Sequence, residues 1–263
     1  MAQQLTTSLN PPNRAIPEYV DLFTQAFPEI GNDSDKITIV HVGQAIGAFQ
    51  DVVFRSDNSP FDRFLRGDRQ AMSQNARHGM RLFYGRAKCS TCHNGIFQTD
   101  HDFHAIGVPQ IGPGFGDGDN GREDFGREGV TGNIEDRYRF RTPSLRNVFL
   151  TGPWGHNGFF NSLEAVIRHH LNPISSLNNA DPSQIVMPPR PDLDSIDLIT
   201  FNDPEITEAI GQAIEINPPQ SLSDKDISDL LDFLQALTDP LAQDLRKTVP
   251  FRVPSGLPIA EIK

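Results

Sequence analysis

The two cysteines of the chain lie in one short motif, Cys89-Ser90-Thr91-Cys92-His93. This C-x-x-C-H pattern is typical of covalent haem c attachment. Two thiols three positions apart on one helical turn can reach both vinyl groups of a porphyrin as thioethers, and the adjacent imidazole can then ligate the iron. The motif therefore predicts one covalent haem c, with Cys89 and Cys92 as thioether links and His93 as the proximal ligand.

Two other interpretations of the motif have less support. A thioredoxin-like redox pair favours a βαβ context, and the flanking sequence shows no convincing strand alternation. A zinc site built from both cysteines and His93 would need a fourth ligand nearby and a tight knuckle. Haem c attachment is therefore the working interpretation.

The composition excludes some classes of protein. The formal net charge of the 263 residues is -11, so a nucleic-acid-binding role, which calls for clustered Lys and Arg, is not expected. No run approaches the ~20 apolar residues of a membrane span. The start, Met1-Ala2-Gln3-Gln4, lacks the basic and apolar regions of a signal peptide.

The spacing of apolar residues predicts a mainly α fold with long Gly- and Pro-rich loops, in keeping with 21 glycines and 21 prolines. Ser73 is predicted to cap a helix that ends near Gly85. The other predicted helices cover residues 18–27, 35–53, 161–171, 205–216 and 223–237. Residues 106–132 are predicted to form a long glycine-rich loop, and no strand is predicted.

A haem iron has a second axial position, and helix geometry points to one candidate for it. In the predicted helix of residues 161–171, the apolar side of Leu163, Val166 and Ile167 continues to His170. His169 lies about 100° away around the helix and is expected to face away. Because a buried histidine is often a hydrogen-bonded core residue, the pattern alone leaves both roles open for His170.

Longer segments resemble the bacterial dihaem cytochrome c peroxidase family, which includes the MauG-type enzymes. The resemblance runs in family order over residues 17–255. The segments that carry it are SPFDRFLRGD (59–68), GMRLFYG (79–85), CSTCHNG (89–95), FRTPSLRNV (140–148), LTGPWGHNG (150–158), LEAVIRHH (163–170) and LLDFLQALT (230–238).

The resemblance is to the C-terminal haem domain of that family. It implies a cytochrome c-like haem domain over residues 59–263, with residues 1–58 as an inter-domain helical region packing on it. Family members carry an N-terminal domain whose own C-x-x-C-H motif holds the haem that reacts with peroxide. This chain has no second such motif. The resemblance therefore implies that the N-terminal haem domain, or another chain, is a partner, or that the chain is a single-haem relative.

The resemblance also assigns ligands residue by residue. Relatives place a distal Met or Tyr fourteen positions after the residue that corresponds to His156, and here that position is His170. His170 is thus implied as the distal ligand of the haem iron, with Met187 as its main competitor. Thr151 and Pro153 match positions whose backbone carbonyls hold a calcium ion between domains.

Three arginines are candidate partners for the haem propionates, because the guanidinium fork suits carboxylates. They are Arg63, Arg141 and Arg146. The alternative for each of them is an ordinary surface ion pair.

The function implied by the resemblance is that of an oxidoreductase. The chain would be the electron-transfer haem domain of a peroxidase that reduces hydrogen peroxide with electrons from a small cytochrome c or cupredoxin. The alternatives are a single-haem electron-carrier cytochrome c without peroxidase activity and a MauG-like enzyme that oxidises a protein. Haem c is attached after export in bacteria, which implies a periplasmic location. Family members are often dimers, so a homodimer is one assembly that the resemblance allows.

Overall fold

The computed structural model describes residues 16–217 and 221–259 of the chain, and its fold is mainly helical, as the sequence predicts. The start of the chain, Met1-Ala2-Gln3-Gln4, lies outside the described residues, as do residues 260–263. Within them, the α-helices are α1 (Pro17–Ala26), α2 (Ile39–Val53), α3 (Pro60–Leu65), α4 (Gln74–Phe83), α5 (Glu128–Thr131), α6 (Leu163–Leu171), α7 (Pro173–Asn178), α8 (Pro204–Ala213) and α9 (Asp224–Gln235).

Short 3-10 turns and one small sheet complete the described elements. The turns are Pro28–Ile30, Ser34–Lys36, Cys89–Thr91, Ile134–Asp136, Val148–Leu150, Pro182–Gln184, Pro240–Gln243 and Arg246–Thr248. The expectation of no strand is wrong for two residue pairs, since β1 (Phe103–His104) and β2 (Phe140–Arg141) pair antiparallel. Two-residue strands are too short to show an alternating pattern, which explains the miss.

The chain divides into two compact units. The larger is Asp57–Asp239, and the smaller combines Met1–Ser56 with Pro240–Lys263. Residues 240–263 thus group with the N-terminal segment, although the sequence assigns them to the haem domain. The predicted boundary after residue 58, and the packing of residues 1–58 on the haem domain, stay predictions.

The helix pair α4 and α9 forms the centre of the larger unit. The Ser73 hydroxyl accepts the Ala76 N–H at the start of α4, and Ser223 forms a capping box with Asp226 at the start of α9. The helices approach closely at Gly79, where an added Cβ atom would lie 1.8 Å from the Asp229 carbonyl oxygen. The absence of a side chain at Gly79 is therefore what allows this approach.

An aromatic and aliphatic core fills the space around these helices. The ring of Phe233 is fully buried and lies 5.4 Å from that of Phe61 and 5.1 Å from that of Phe83. The predicted stripe on α9 is buried at Ile227, Leu230 and Leu234 and half-buried at Leu231. Other buried members of the core cluster are Met72, Ala76, Leu82, Ala87, Val148, Leu163, Ala236 and Leu237.

The smaller unit contains α1 and α2. The ring of Phe27 lies 6.1 Å from that of Phe23 and 4.9 Å from that of His41. The Arg252 guanidinium donates two 2.9 Å hydrogen bonds to the Glu18 carboxylate, which joins the two segments of the unit. No residue of α2 is buried. Among the described residues, no helix combines the length and apolar character needed to cross a bilayer.

Candidate haem site

The Cys89 motif lies on a tight turn that follows α4. Lys88 enters the turn in the left-handed region with φ of 58°, and the turn closes with a 2.9 Å hydrogen bond from the His93 N–H to the Cys89 carbonyl. This i to i+4 bond places both cysteines and His93 on one helical turn, as the motif predicts.

Both thiols are half-buried and free. Burial raises the pKa of the Cys89 thiol to about 12. Burial also raises the pKa of the Cys92 thiol, and the neighbouring carboxylates Asp100, Glu215 and Asp102 raise it further. Both residues are therefore thiols at neutral pH, the form that adds across a vinyl group to give a thioether.

The His93 ring is oriented by a backbone carbonyl. Its Nδ1 lies 3.2 Å from the carbonyl oxygen of Gln98, and the Pro143 backbone is a further hydrogen-bond partner of the ring. With Nδ1 donating, Nε2 is the nitrogen open to a metal. Gln98 is itself buried and adopts a positive φ of 49°. Burial lowers the pKa of His93 to about 4, and the nearby His170 lowers it further. The ring is therefore neutral at neutral pH, the form that ligates metals.

The His170 ring, near the end of α6, has the same arrangement. Its Nδ1 lies 2.8 Å from the carbonyl oxygen of Val166, one turn earlier, so Nε2 is again left free. Burial lowers the pKa of His170. A charge on His170 would lower the pKa of His93, so the two rings interact electrostatically.

The expectation for His169 needs correction. His169 is fully buried, and both of its ring nitrogens have partners: Nδ1 lies 2.9 Å from the Ser176 hydroxyl and Nε2 lies 2.7 Å from the Ile106 carbonyl. The prediction that it faces away from a single buried stripe is wrong, because α6 is covered on this side too, by α7 and by the loop at Ile106. His169 is a hydrogen-bonded core residue with no ring nitrogen left for a metal.

Met187, the competing ligand, lies partly exposed in the loop that follows the turn Pro182–Gln184. A methionine is uncharged, so the pKa of His93 does not distinguish Met187 from His170, and the choice between them stays a prediction.

The three arginines occupy different surroundings. Arg146 donates to both carboxylate oxygens of Asp62 at 2.7 Å and to the carbonyl of Ile96. Arg141 lies on β2, with a guanidinium nitrogen 2.6 Å from the ring of His101. Arg63 is exposed on α3. Their role at haem propionates stays a prediction, and Arg146 already has a carboxylate partner.

The predicted calcium carbonyls lie just after the turn Val148–Leu150. Thr151 and Pro153 are exposed, and the Thr151 hydroxyl donates to the Val148 carbonyl at 3.2 Å. A calcium ion at these carbonyls stays a prediction.

The donor set of the site fits a haem c. Two thiols on one turn suit the vinyl groups, and two neutral imidazoles, each with Nδ1 on a backbone carbonyl, leave Nε2 for the iron. The carbonyls of Gln98 and Val166 are the functional groups that sequence reasoning missed. Val166 could have been found by counting back one helical turn from His170, whereas no sequence pattern reveals the carbonyl of Gln98.

Comparison with known proteins finds relatives over part of the chain. A family model described as di-haem cytochrome c peroxidase matches residues 2–70. The methylamine utilization protein MauG of Methylorubrum extorquens is 38% identical over 158 residues, which are 60% of this chain and 41% of that protein. Cytochrome c551 peroxidase of Pseudomonas aeruginosa is 37% identical over 144 residues, covering 55% of this chain and 39% of that one.

Solved structures give the same result at the level of the fold. A MauG-like protein associated with microbial copper homeostasis is 27% identical with a TM-score of 0.60, over 91% of this chain and 62% of that one. The diheme peroxidase BthA of Burkholderia thailandensis shares the fold, with a TM-score of 0.55 at 18% identity over 87% of this chain and 60% of that one.

The fold belongs to the mainly α, cytochrome c-like class. The chain is similar to members of the dihaem cytochrome c peroxidase and MauG family, over residues 2–70 for the family model and over 60% of its length for MauG. The chain spans less than half of the length of the curated relatives cited above.

Proposed function

We propose that the chain carries one haem c, linked through Cys89 and Cys92, with His93 and His170 as the two axial ligands of the iron. The observation that supports this most is the matched pair of neutral imidazoles, each with Nδ1 bound to a backbone carbonyl. A histidine whose second ring nitrogen is fixed in this way is the usual arrangement of a metal ligand.

From this ligand set follows an electron-transfer role. When bound, the haem supplies a reversible one-electron redox change. His93 and His170 would both hold the haem iron, which would leave no position for peroxide, and the domain would pass electrons. Two imidazoles give a lower potential than a His and Met pair, since methionine ligation raises it.

The domain then serves a dihaem peroxidase reaction, H₂O₂ + 2 e⁻ + 2 H⁺ → 2 H₂O. The electrons come from a small cytochrome c or cupredoxin, and the peroxide reacts at a second haem domain, on this protein or on another chain. The proposed location is the bacterial periplasm. Propionate contacts of Arg63, Arg141 and Arg146, calcium at the Thr151 and Pro153 carbonyls, and a homodimer belong to the same proposal.

A MauG-like oxidation of a protein substrate is the second candidate. It is favoured by the 38% identity to a protein named MauG and by the likeness to a MauG-like structure. The peroxidase role is supported at comparable identity by relatives named cytochrome-c peroxidase, 34% for IdrP1 of Pseudomonas sp. strain SCT over 59% of this chain and 45% of that one.

The test is the covalent state of the cysteines. The full chain should be produced in a bacterium that exports it and attaches haem c, and its intact mass should be measured after denaturation. We expect the mass of one haem added and no reactive thiol, whereas a variant with both Cys89→Ser and Cys92→Ser should carry none. A folded, colourless chain with two free thiols from that host would refute the proposal.

A further inference from the structure

A second group of metal-binding side chains shares one cysteine with the haem motif. Cys92, Asp100 and His104 each offer a ligand atom, and the sulfur, carboxylate oxygen and ring nitrogen all lie within 4.8 Å of one another. All three residues are half-buried. Thiolate, imidazole and carboxylate are the ligand types that Zn²⁺ takes in proteins, and three of them with a water complete a tetrahedral site.

The His104 ring is held in the orientation that such a site requires. Its Nε2 lies 2.9 Å from an Asp100 oxygen, and its Nδ1 lies 3.3 Å from Oε1 of Glu215. In the metal-free chain the Nε2 N–H donates to Asp100. The neutral ring can instead carry its proton on Nδ1, donated to Glu215, and this tautomer leaves Nε2 open to a metal on the Asp100 and Cys92 side. A carboxylate behind the distal nitrogen of a ligand histidine is the usual second partner in zinc sites.

Glu215 is itself fixed in place. Its Oε2 lies 2.6 Å from Arg139, its Oε1 accepts the Ala105 N–H at 3.2 Å, and its own N–H bonds to the Ala105 carbonyl. The group is thus held in place by Ala105, Arg139 and Glu215, which lie on separate segments of the larger unit.

We propose that, before haem is attached, this group binds a divalent transition metal such as Zn²⁺, with Cys92, Asp100 and His104 as ligands and Glu215 as a positioning residue. On binding, the Cys92 S–H bond breaks, a sulfur–metal bond forms and one proton leaves to solvent, with no change of oxidation state. Metal binding and haem attachment exclude one another, because the thioether uses the same sulfur.

The competing arrangement is a chelate of Cys89, Cys92 and His93. The structure favours the proposed group, because the Cys89 sulfur contacts the Ala87 carbonyl at 3.6 Å. Neither Cys89 nor His93 belongs to the group that meets within 4.8 Å.

The experiment uses the full chain produced in a host without haem c maturation. ZnCl₂ is titrated against a chelating dye, and thiol alkylation with and without zinc is mapped by mass spectrometry. We expect one zinc per chain, protection of Cys92 and continued reactivity of Cys89. His104→Ala should weaken binding at least about tenfold, as loss of a ligand or its support does.

Two further variants give matched controls. His101→Ala removes an exposed neighbouring imidazole and should leave the zinc affinity unchanged, and Cys89→Ser should also retain it. Equal protection of both cysteines, or a loss in Cys89→Ser as large as in Cys92→Ser, would assign the metal to the motif chelate and overturn the proposal. So would unchanged affinity in His104→Ala. Should His104→Ala fail to fold, the alkylation pattern of the unmodified chain decides alone.

Failure of this proposal is separable from failure of the proposed function. Zinc binding is measured on the haem-free chain, and haem attachment is measured on the exported chain, so each result stands without the other. The link between them is tested by incubating haem-loaded chain with zinc, where no protected thiol and no binding at this group are expected.

Discussion

The two imidazoles of the candidate site owe their chemistry to backbone groups. In both His93 and His170, a carbonyl oxygen takes the Nδ1 proton and fixes the ring tautomer. Burial lowers both pKa values, so neither ring is protonated at neutral pH. In both residues the hydrogen bond to a carbonyl leaves Nε2 as the ring nitrogen open to a metal.

Substitution of His170 should change the iron spectrum. In the haem-loaded chain, His170→Ala should give high-spin iron that binds carbon monoxide, because one axial position opens. His169→Ala is the matched control: it should keep the low-spin spectrum and instead lower stability by about 1–3 kcal/mol, since buried partners lose their hydrogen bonds. Visible absorption and urea unfolding measure the two effects.

Ligation of the iron by Met187 would contradict this assignment and would be visible in the spectrum. Methionine ligation of oxidised haem gives a weak far-red absorption band, which bis-histidine iron lacks. If that band is present and is lost in Met187→Ala, while His170→Ala leaves the spectrum unchanged, the ligand assignment is wrong.

Much of the candidate site could be predicted from the sequence, because its chemistry depends on a local motif. The spacing of Cys89, Cys92 and His93 predicts their place on one turn, which the structure has. Helix periodicity and family position point to His170, whose role as a ligand stays a prediction. The role of Gln98 could not be predicted, because it depends on a backbone carbonyl that a positive φ orients toward His93. The burial of His169 was missed because a helix covered on two sides has no single buried stripe.

At the scale of the elements, substitutions at two glycines test whether helices α4 and α9 are in contact. Gly79→Ala in α4 would place a Cβ atom 1.8 Å from the Asp229 carbonyl oxygen and should destabilise the chain by about 1–3 kcal/mol, as overpacking does. Gly43→Ala in α2 meets nothing within 4 Å and should stabilise by up to about 1 kcal/mol through helix propensity. Equal effects in urea unfolding would mean that α4 and α9 are not in contact at Gly79.

The start of α9 should make stability depend on pH. The Ser223 hydroxyl and N–H, followed by Arg86, hold the pKa of Asp226 at about 2. Because this value is below that of the unfolded chain, the carboxylate stabilises the fold above about pH 4 and loses this effect as the pH falls toward 2.

Asp226→Asn should therefore cost about 1–2 kcal/mol at neutral pH and much less near pH 2, with the Arg86 contribution reduced by solvent screening. Asp224→Asn, in the same turn but 88% exposed, should cost below about 0.5 kcal/mol at either pH. Urea unfolding at the two pH values checks both variants, and a cost for Asp226→Asn that does not vary with pH would contradict the assignment.

Helices were predictable where local signals mark them. Ser73, Ser162 and Ser223 are caps that can be read from the sequence, and the structure has helices directly after each of them. Burial was less predictable: α2 has an apolar composition, yet no residue of it is buried. Periodicity defines which side of a helix is apolar, but a covering partner is a tertiary property that no local pattern contains.

For the whole molecule, the proposed ligand set predicts weak activity of this chain alone. With both axial positions held by histidines, the haem-loaded chain should show little hydrogen peroxide turnover with a reduced small cytochrome as donor. A peroxidase needs an open iron position and an acid–base group beside the bound peroxide. Rapid turnover together with a five-coordinate spectrum would instead make this domain the catalyst.

The chain enters and leaves the larger unit at one place. The Asn58 N–H bonds to the Asp239 carboxylate at 2.8 Å, and the Phe61 N–H bonds to the Ala236 carbonyl at 3.0 Å. Residues 57–239 are a long insertion between the two segments of the smaller unit, and these hydrogen bonds hold its two ends close together. With the insertion folded, bringing residues 56 and 240 together costs less loop-closure entropy than in the unfolded chain. The two segments of the smaller unit are therefore expected to join more readily once the larger unit has folded.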